Sequence, residues 1–251
     1  MKTALITGAT SGIGRATAER LAAEGYNIII TGRRKDRLLE FSGYLKNAYP
    51  AEVLPLCFDV CDFGQTGKIL GSLPVTWQDI DVLVNNAGLA AGLEPLDGGQ
   101  PDDWQRMIDT NIKGLLYVTK AIAPLMIARR KGHIINVGSI AGREVYAGGN
   151  VYCATKHAVD ALTKSMRMEF LPYGIRVSQV APGAVETEFS LVRFKGDRKR
   201  ADAVYEGFHP LEAADIADVI AYMVNRPPHV NIADVLVLPA AQAGATMIHR
   251  T

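Results

Sequence analysis

Short runs of β-forming apolar residues alternate with longer segments of helical pattern along nearly the whole chain, and this alternation most constrains the fold. The runs cover residues 3–7, 26–31, 53–59, 80–85, 133–139, 175–181 and 235–238. Stretches such as Asn27-Ile28-Ile29-Ile30 lack a polar face, which suits strands covered on both sides by helices. Successive βα units joined by right-handed crossovers give a parallel, doubly wound α/β sheet. No internal repeat, low-complexity tract or Pro/Ser-rich linker divides the sequence, so residues 1–251 are expected to form one domain. Gly25 and Gly132 are expected to end the helices before them in the left-handed conformation. Arg129-Arg130-Lys131 would complement a helix C-terminus, and Pro124 is expected to distort the helix over residues 112–131.

Charge excludes whole classes of partner. Lys plus Arg number 27 against 26 for Asp plus Glu, so the net charge of +1 exerts no general pull on nucleic acid or an anionic membrane. Any charged ligand must meet a local cluster. No run of eighteen apolar residues occurs, and the chain enters its first apolar run without a leader, which predicts a cytoplasmic protein without a membrane partner. Cys57, Cys61 and Cys153 are odd in number, lack metal-finger spacing and have no His cluster beside them, so free thiols and no metal site are expected.

The first βα turn carries Thr7-Gly8-Ala9-Thr10-Ser11-Gly12-Ile13-Gly14. Gly8 permits the tight turn, Gly12 lets backbone approach a pyrophosphate, and Gly14 lets the helix starting near Ile13 pack on the sheet. Thr10, Ser11 and Ile13 complete the loop, and the helix N-terminus offers unpaired N–H groups to an anion. The second strand ends near Thr31, where NAD-preferring folds of this kind place a carboxylate for the ribose 2′-hydroxyl. Here Gly32-Arg33-Arg34-Lys35 follows, with no carboxylate. A guanidinium fork matches a phosphate, so Arg33 and Arg34 predict a 2′-phosphate and therefore NADP(H).

Tyr152 and Lys156 stand four apart in a predicted helix, on one face, with Cβ atoms about 5–6 Å apart. A nearby ammonium stabilises a phenolate and moves a tyrosine from its ordinary value near 10 towards useful proton exchange. Ser139 ends a strand whose carboxyl edge should face the ligand crevice. Together with Asn111, the glycine loop, Asp59-Val60, Asn85-Asn86-Ala87-Gly88 and Pro182-Gly183, these residues resemble the short-chain dehydrogenase/reductase family along essentially the whole chain. The resemblance implies a Rossmann-type domain with a seven-stranded parallel sheet. It implies Tyr152 as proton donor and acceptor, Ser139 polarising the substrate oxygen, Lys156 also bonding the nicotinamide ribose, and Asn111 holding a water that links Lys156 to solvent. It places Asp59 and Val60 at the adenine, Asn86, Ala87 and Gly88 beside the adenosine ribose, and Pro182, Gly183, Val185 and Thr187 along the nicotinamide. Asn111 is expected at a break between two helices, where it could also act as a cap.

Tyr146-Ala147-Gly148-Gly149-Asn150-Val151-Tyr152 and the stretch from Glu186 to Asp197 resemble an NADP-dependent 3-hydroxy acid dehydrogenase subgroup within that family. The implied substrates are small anionic hydroxy acids or aldehydes: 3-hydroxypropionate, L-serine and L-allo-threonine with their semialdehydes or keto acids. Tyr146, Asn150 and Arg193 join Ser139 as candidate substrate residues, with Arg193 in a lid spanning approximately 183–210 and able to bind a carboxylate bidentately. A sulfonate presents a similar anion, so sulfoacetaldehyde or broad carbonyl reduction is an alternative. A non-catalytic NADP(H) sensor is another, against which the Asn-Ser-Tyr-Lys set argues. The resemblance also implies a homotetramer built through residues 112–131, 151–171 and the last strand.

Overall fold

Seven strands, each after the first entered from a helical crossover, lie side by side in one parallel sheet. The computed structural model describes residues 1–251. Its strands are β1 (Thr3–Ile6), β2 (Asn27–Gly32), β3 (Val53–Cys57), β4 (Ile80–Asn85), β5 (Gly132–Val137), β6 (Ile175–Pro182) and β7 (Asp234–Val237). Their order is β3-β2-β1-β4-β5-β6-β7, and every pairing is parallel. The order reverses direction between β1 and β4, and that switch point is where such folds open a crevice at the carboxyl ends of the strands. The expected single α/β domain with seven parallel strands is what the chain forms.

The consecutive apolar runs are explained by two cores. Side chains alternate across a strand, so Ile28 and Ile30 enter one layer while Ile29 enters the other. The first layer packs Ala4 and Ile6 under α1 (Gly12–Ala23), α2 (Lys35–Ala48) and α9 (Ala213–Val224), through Leu21, Phe41 and Ile220. The second packs Leu5 and Leu83 under α3 (Phe63–Gly71), α5 (Leu115–Arg129) and α6 (Asn150–Phe170), through Leu70, Ile122 and Val159. Neither layer leaves the sheet a wet face.

Two local expectations are corrected. Gly25 does take a left-handed φ of 80°, but before β5 the residue in that conformation is Arg130 at φ 51°, not Gly132. Gly132 already belongs to β5, and a Cβ there would press on Met126 Sδ and the carbons beside it, so close packing is what demands glycine. Arg129 and Lys131 do more than complement a dipole: both pair with Asp81, at 3.1 and 2.7 Å. Nor is there a gap between helices at Asn111. The chain passes from α4 (Pro101–Ile108) into α5 through a π-helical segment, Asp109–Gly114, so Asn111 sits in a helical bulge rather than at a cap, and α5 continues past Pro124. Such bulges recur at functional sites because they re-aim side chains without ending the helix.

One buried group makes the sheet acid-sensitive. Ser178 donates its hydrogen to Asn231 Oδ1 at 2.8 Å, so at 2.8 Å from His133 Nε2 it can only accept, and His133 carries its hydrogen on Nε2. Nδ1 is buried without a partner, and burial, with Arg176 nearby, pushes the imidazole down to about 3 from an ordinary 6.5. Between those values the unfolded chain takes up a proton that the folded chain refuses. Stability is therefore complete above 6.5 and falls towards pH 3 by at most about 1.4 kcal/mol per pH unit from this group. His133→Gln retains a donor towards Ser178 and removes the titration. Thermal unfolding at pH 7 and pH 5 should show a smaller loss for the variant than for the parent, and equal losses would assign acid sensitivity elsewhere.

Candidate active site

The carboxyl ends of the strands open into a cavity of about 890 Å³. Nearly every expected site residue reaches its wall: Gly8, Thr10, Ser11, Gly12 and Ile13 from the first turn, Arg33 and Arg34 from the second, Asp59 and Val60 from the third, and Asn86, Ala87 and Gly88 from the fourth. Ser139 follows β5, Tyr146 lies in the loop before α6, and Tyr152 and Lys156 project from α6. Pro182, Gly183, Val185, Thr187 and Arg193 complete the wall from β6 into helix α7 (Glu188–Arg193).

Three expected residues lie off the wall. Gly14 sits beneath the loop: a Cβ there would come within 2.5 Å of Gly8 O and onto Asn86 Nδ2, so its place is structural. Asn111 is buried, with Oδ1 accepting from Leu89 N at 2.8 Å and Nδ2 donating to Leu89 O at 2.8 Å and Thr155 Oγ1 at 3.0 Å. Its carboxamide thus fastens the segment after β4 to α6. Asn150 is a correction: it stands at the first turn of α6 with Nδ2 on Glu94 O at 3.1 Å and Oδ1 on Val151 N, facing a minor pocket instead of this one.

The phosphate loop is held by its neighbours. Thr7 Oγ1 accepts from Asn86 N and Ala87 N, both at 2.9 Å, and Asn86 Nδ2 donates to Thr7 O at 2.8 Å and Gly8 O at 3.3 Å. The Asn86 side chain therefore pins the loop, leaving its backbone to face the crevice. Gly8 and Gly12 both adopt positive φ, and a Cβ on Gly12 would press on Thr187 at 3.3 Å. Thr187 Oγ1 caps α7 by accepting from Phe189 N at 3.2 Å. A cradle whose every glycine is required by curvature or clearance, open at the N-terminus of a 12-residue helix, fits a pyrophosphate.

The basic corner after β2 is not free of carboxylates, as the local sequence implied. Asp59 arrives from the next strand and pairs with Arg33 at 3.2 Å; Glu188 arrives from the lid and pairs with Arg34 at 2.8 Å. Both pairs are exposed, and exposed ion pairs contribute roughly 0–1 kcal/mol, so Arg33 can exchange Asp59 for a phosphate, while Arg34 has its Nε and Nη2 edge, on Thr10 and Ser11, to offer one.

The other end of the cavity is lined by buried side chains. Tyr152 and Lys156 are 8% and 6% exposed. Burial, then Tyr146, raise the Tyr152 phenol above its ordinary value, against the hydrogen bond with Ser139 and the charge of Arg193. Burial alone brings the Lys156 ammonium down to about 8. Its Nζ donates to Val137 O at 2.9 Å and lies 6.0 Å from the Tyr152 ring centre. The cation facing the phenol is Arg193, whose guanidinium carbon is 5.4 Å from the Tyr152 ring; it donates to Tyr146 Oη at 2.7 Å and Gly92 O at 3.2 Å.

The C-terminal segment was missed by local sequence reading. Gln242, Ala245, Thr246, Ile248 and Arg250 line the cavity, and Gln242 Oε1 accepts from Ala184 N at 2.9 Å. No motif marks these residues. The signal was topological: β7 is parallel, so whatever follows Val237 must leave the sheet at the mouth of the crevice.

The chain belongs to the short-chain dehydrogenase family: the family model described as short chain dehydrogenase matches residues 2–197. An NADP-dependent 3-hydroxy acid dehydrogenase of Schizosaccharomyces pombe is 46% identical over 250 residues, covering 99% of this chain and 96% of the relative. A serine 3-dehydrogenase of Rhizobium radiobacter is 44% identical over 243 residues, 97% of this chain and 96% of the relative. A solved structure of the closed form of serine dehydrogenase complexed with NADP+ superposes with a TM-score of 0.93 at 41% identity, over 99% of this chain and all of that one.

The packing under the loop is testable. Gly14→Ala should lower stability by about 1–3 kcal/mol through overpacking against backbone. Gly43→Ala, in open space on α2, should raise it by up to about 1 kcal/mol. Chemical unfolding of the two variants decides the point; a neutral Gly14→Ala would show that the loop has room.

Proposed function

We propose that the protein is an NADP(H)-dependent oxidoreductase that interconverts short 3-hydroxy acids, such as 3-hydroxypropionate, L-serine and L-allo-threonine, with their semialdehydes or keto acids. The observation that carries this reading is Arg193 lying over Tyr152: a fixed guanidinium and a phenol face one chamber at a separation suited to a short acid. The names and cofactor dependence of the relatives above support the same reading. The cradle of Gly8, Gly12 and Ser11 with Arg33 and Arg34 suits a 2′-phosphorylated dinucleotide, which when bound supplies or accepts the hydride. Asp59 and Val60 would flank its adenine, Ala87 and Gly88 its ribose, and Pro182, Gly183, Val185 and Thr187 its nicotinamide.

The chain's own residues do the rest. Tyr152, kept protonated by burial, gives its proton to the carbonyl oxygen during reduction and takes it back from the alcohol during oxidation. Ser139 Oγ, which also lines the cavity, steadies the same oxygen. Arg193 takes the carboxylate, with Tyr146 holding its guanidinium in place. Lys156 turns its buried ammonium towards the cofactor's ribose and supports reprotonation of the phenol. Asn111 serves the relay through its backbone, because both polar atoms of its side chain are committed. We also read the enzyme as a cytoplasmic homotetramer; Met168 and Leu171, 70% and 71% exposed at the end of α6, and Leu236 on β7 supply apolar surface for it.

Two variants test the assignment in an NADPH-coupled screen of malonic semialdehyde, sulfoacetaldehyde and neutral short aldehydes. Tyr152→Phe should lower kcat about 10²–10⁴-fold while NADPH still binds. If turnover survives, Tyr152 is not the proton donor. Arg193→Met removes a charge-assisted bond of about 1.5–3 kcal/mol. It should raise KM for the anionic substrates by at least about tenfold and leave neutral aldehydes nearly unchanged. A uniform rise would give Arg193 a lid-packing role alone.

A further inference from the structure

The two ends of lid helix α7 face different ligands. Arg193, at its last residue, points to the substrate chamber, whereas Glu188, at its first, reaches the basic corner. There its carboxylate accepts from Arg34 Nη1 and from Arg37 Nη1, both at 2.8 Å, and these two cations hold it below the usual carboxylate range. Arg37 comes from α2 and does not line the cavity, so its partner here is the lid alone. Arg34 is shared. Its Nε and Nη2 edge faces Thr10 Oγ1 at 3.3 and 2.9 Å and Ser11 Oγ at 2.9 Å. Those hydroxyls can rotate to donate to an anion, so the Nε and Nη2 edge with Thr10 and Ser11 makes a phosphate cradle while Nη1 stays on Glu188. One rigid planar group presents a phosphate edge and a lid edge.

We propose that Glu188 is a positioning residue through which the substrate lid reads the 2′-phosphate of the cofactor. A phosphate in the cradle fixes the plane of Arg34, the fixed plane holds Glu188, and α7 is thereby seated with Arg193 over Tyr152. By linkage, a seated lid holds Arg34 ready for the phosphate. A dinucleotide without that phosphate leaves Arg34 free to turn and the lid held by Arg37 alone. The inference rests on Arg33 and Arg34 being the 2′-phosphate site, and it adds to that reading that discrimination between the cofactors is also expressed at the substrate lid.

The probes are 2′-AMP and 5′-AMP, which carry the phosphate in question, or lack it, without any nicotinamide. In the full-length enzyme, 2′-AMP should slow amide hydrogen exchange across residues 187–194 and 5′-AMP should not. Glu188→Gln should abolish that protection and weaken 2′-AMP by about two- to fivefold, the range exposed ion pairs give, leaving 5′-AMP unchanged. Were Glu188 merely a nearby negative charge, its removal would tighten 2′-AMP; tighter or unchanged binding overturns the proposal, as does equal lid protection by both nucleotides. A parent enzyme that binds 2′-AMP no better than 5′-AMP overturns the phosphate site itself and the proposal with it, so the two failures are told apart.

Discussion

A parallel strand cannot be reached from its neighbour by a tight turn; the chain must climb back over the sheet through a crossover. Every strand of this sheet therefore ends at the same edge, and each loop that follows a carboxyl end is delivered to one crevice. That constraint explains how residues as distant as Gly8, Asp59, Ser139 and Thr187 share a wall. It also explains why the C-terminal segment belongs to the site. Once β7 runs parallel to β6, the chain leaving Val237 has nowhere to go except past the mouth, where Gln242 braces Ala184 at the base of the lid.

The crevice is rigid on its phosphate side because its hydrogen bonds are internal. Thr7 and Asn86 tie the first turn to the fourth through side chain and backbone, and Gly14 lets the loop lie flat on α1. Preorganisation of this kind keeps the backbone N–H groups aimed before any anion arrives. At the other end, the polar atoms of Asn111 connect the segment after β4 to α6 through Thr155, three positions after Tyr152, whose carbonyl oxygen accepts from Thr155 Oγ1 at 2.8 Å. The side chain that looked like a relay residue is a brace, and the π-helical turn places it there.

Much of this was legible in the chain. The alternation of apolar runs located all seven strands, because strands covered on both faces need apolar residues on both, and Ile28, Ile29 and Ile30 divide between two cores accordingly. The glycine loop was legible because each glycine answers a steric demand. Long-range pairing was not. Nothing near Arg33 and Arg34 announces that Asp59 and Glu188 will meet them, since those contacts span 26 and 154 positions. Asn150 misled for the opposite reason: it lies next to residues that do face the cavity, but the first turn of α6 directs it to Glu94. The left-handed residue before β5 shows a third limit. Glycine is favoured there, yet Gly132 was needed where Met126 crowds the sheet, and Arg130 took the strained position.

The near-neutral total charge conceals a division within the cavity itself. Its wall carries Lys156 and five arginines against Asp59 and Glu188, but the two carboxylates are both at the phosphate end, each already paired with an arginine. At the chemical end, Arg193 and Lys156 have neutral partners: Gly92 O and Tyr146 Oη for one, Val137 O for the other. No carboxylate there has to be displaced before an anion can bind. An anion entering that chamber meets positive charge whose field is undiminished by a counter-ion. Burial raises the phenol of Tyr152 and so favours its protonated form. A cation without a counter-ion and a phenol that keeps its proton thus sit side by side, with Lys156 and Tyr152 buried and Arg193 half-buried.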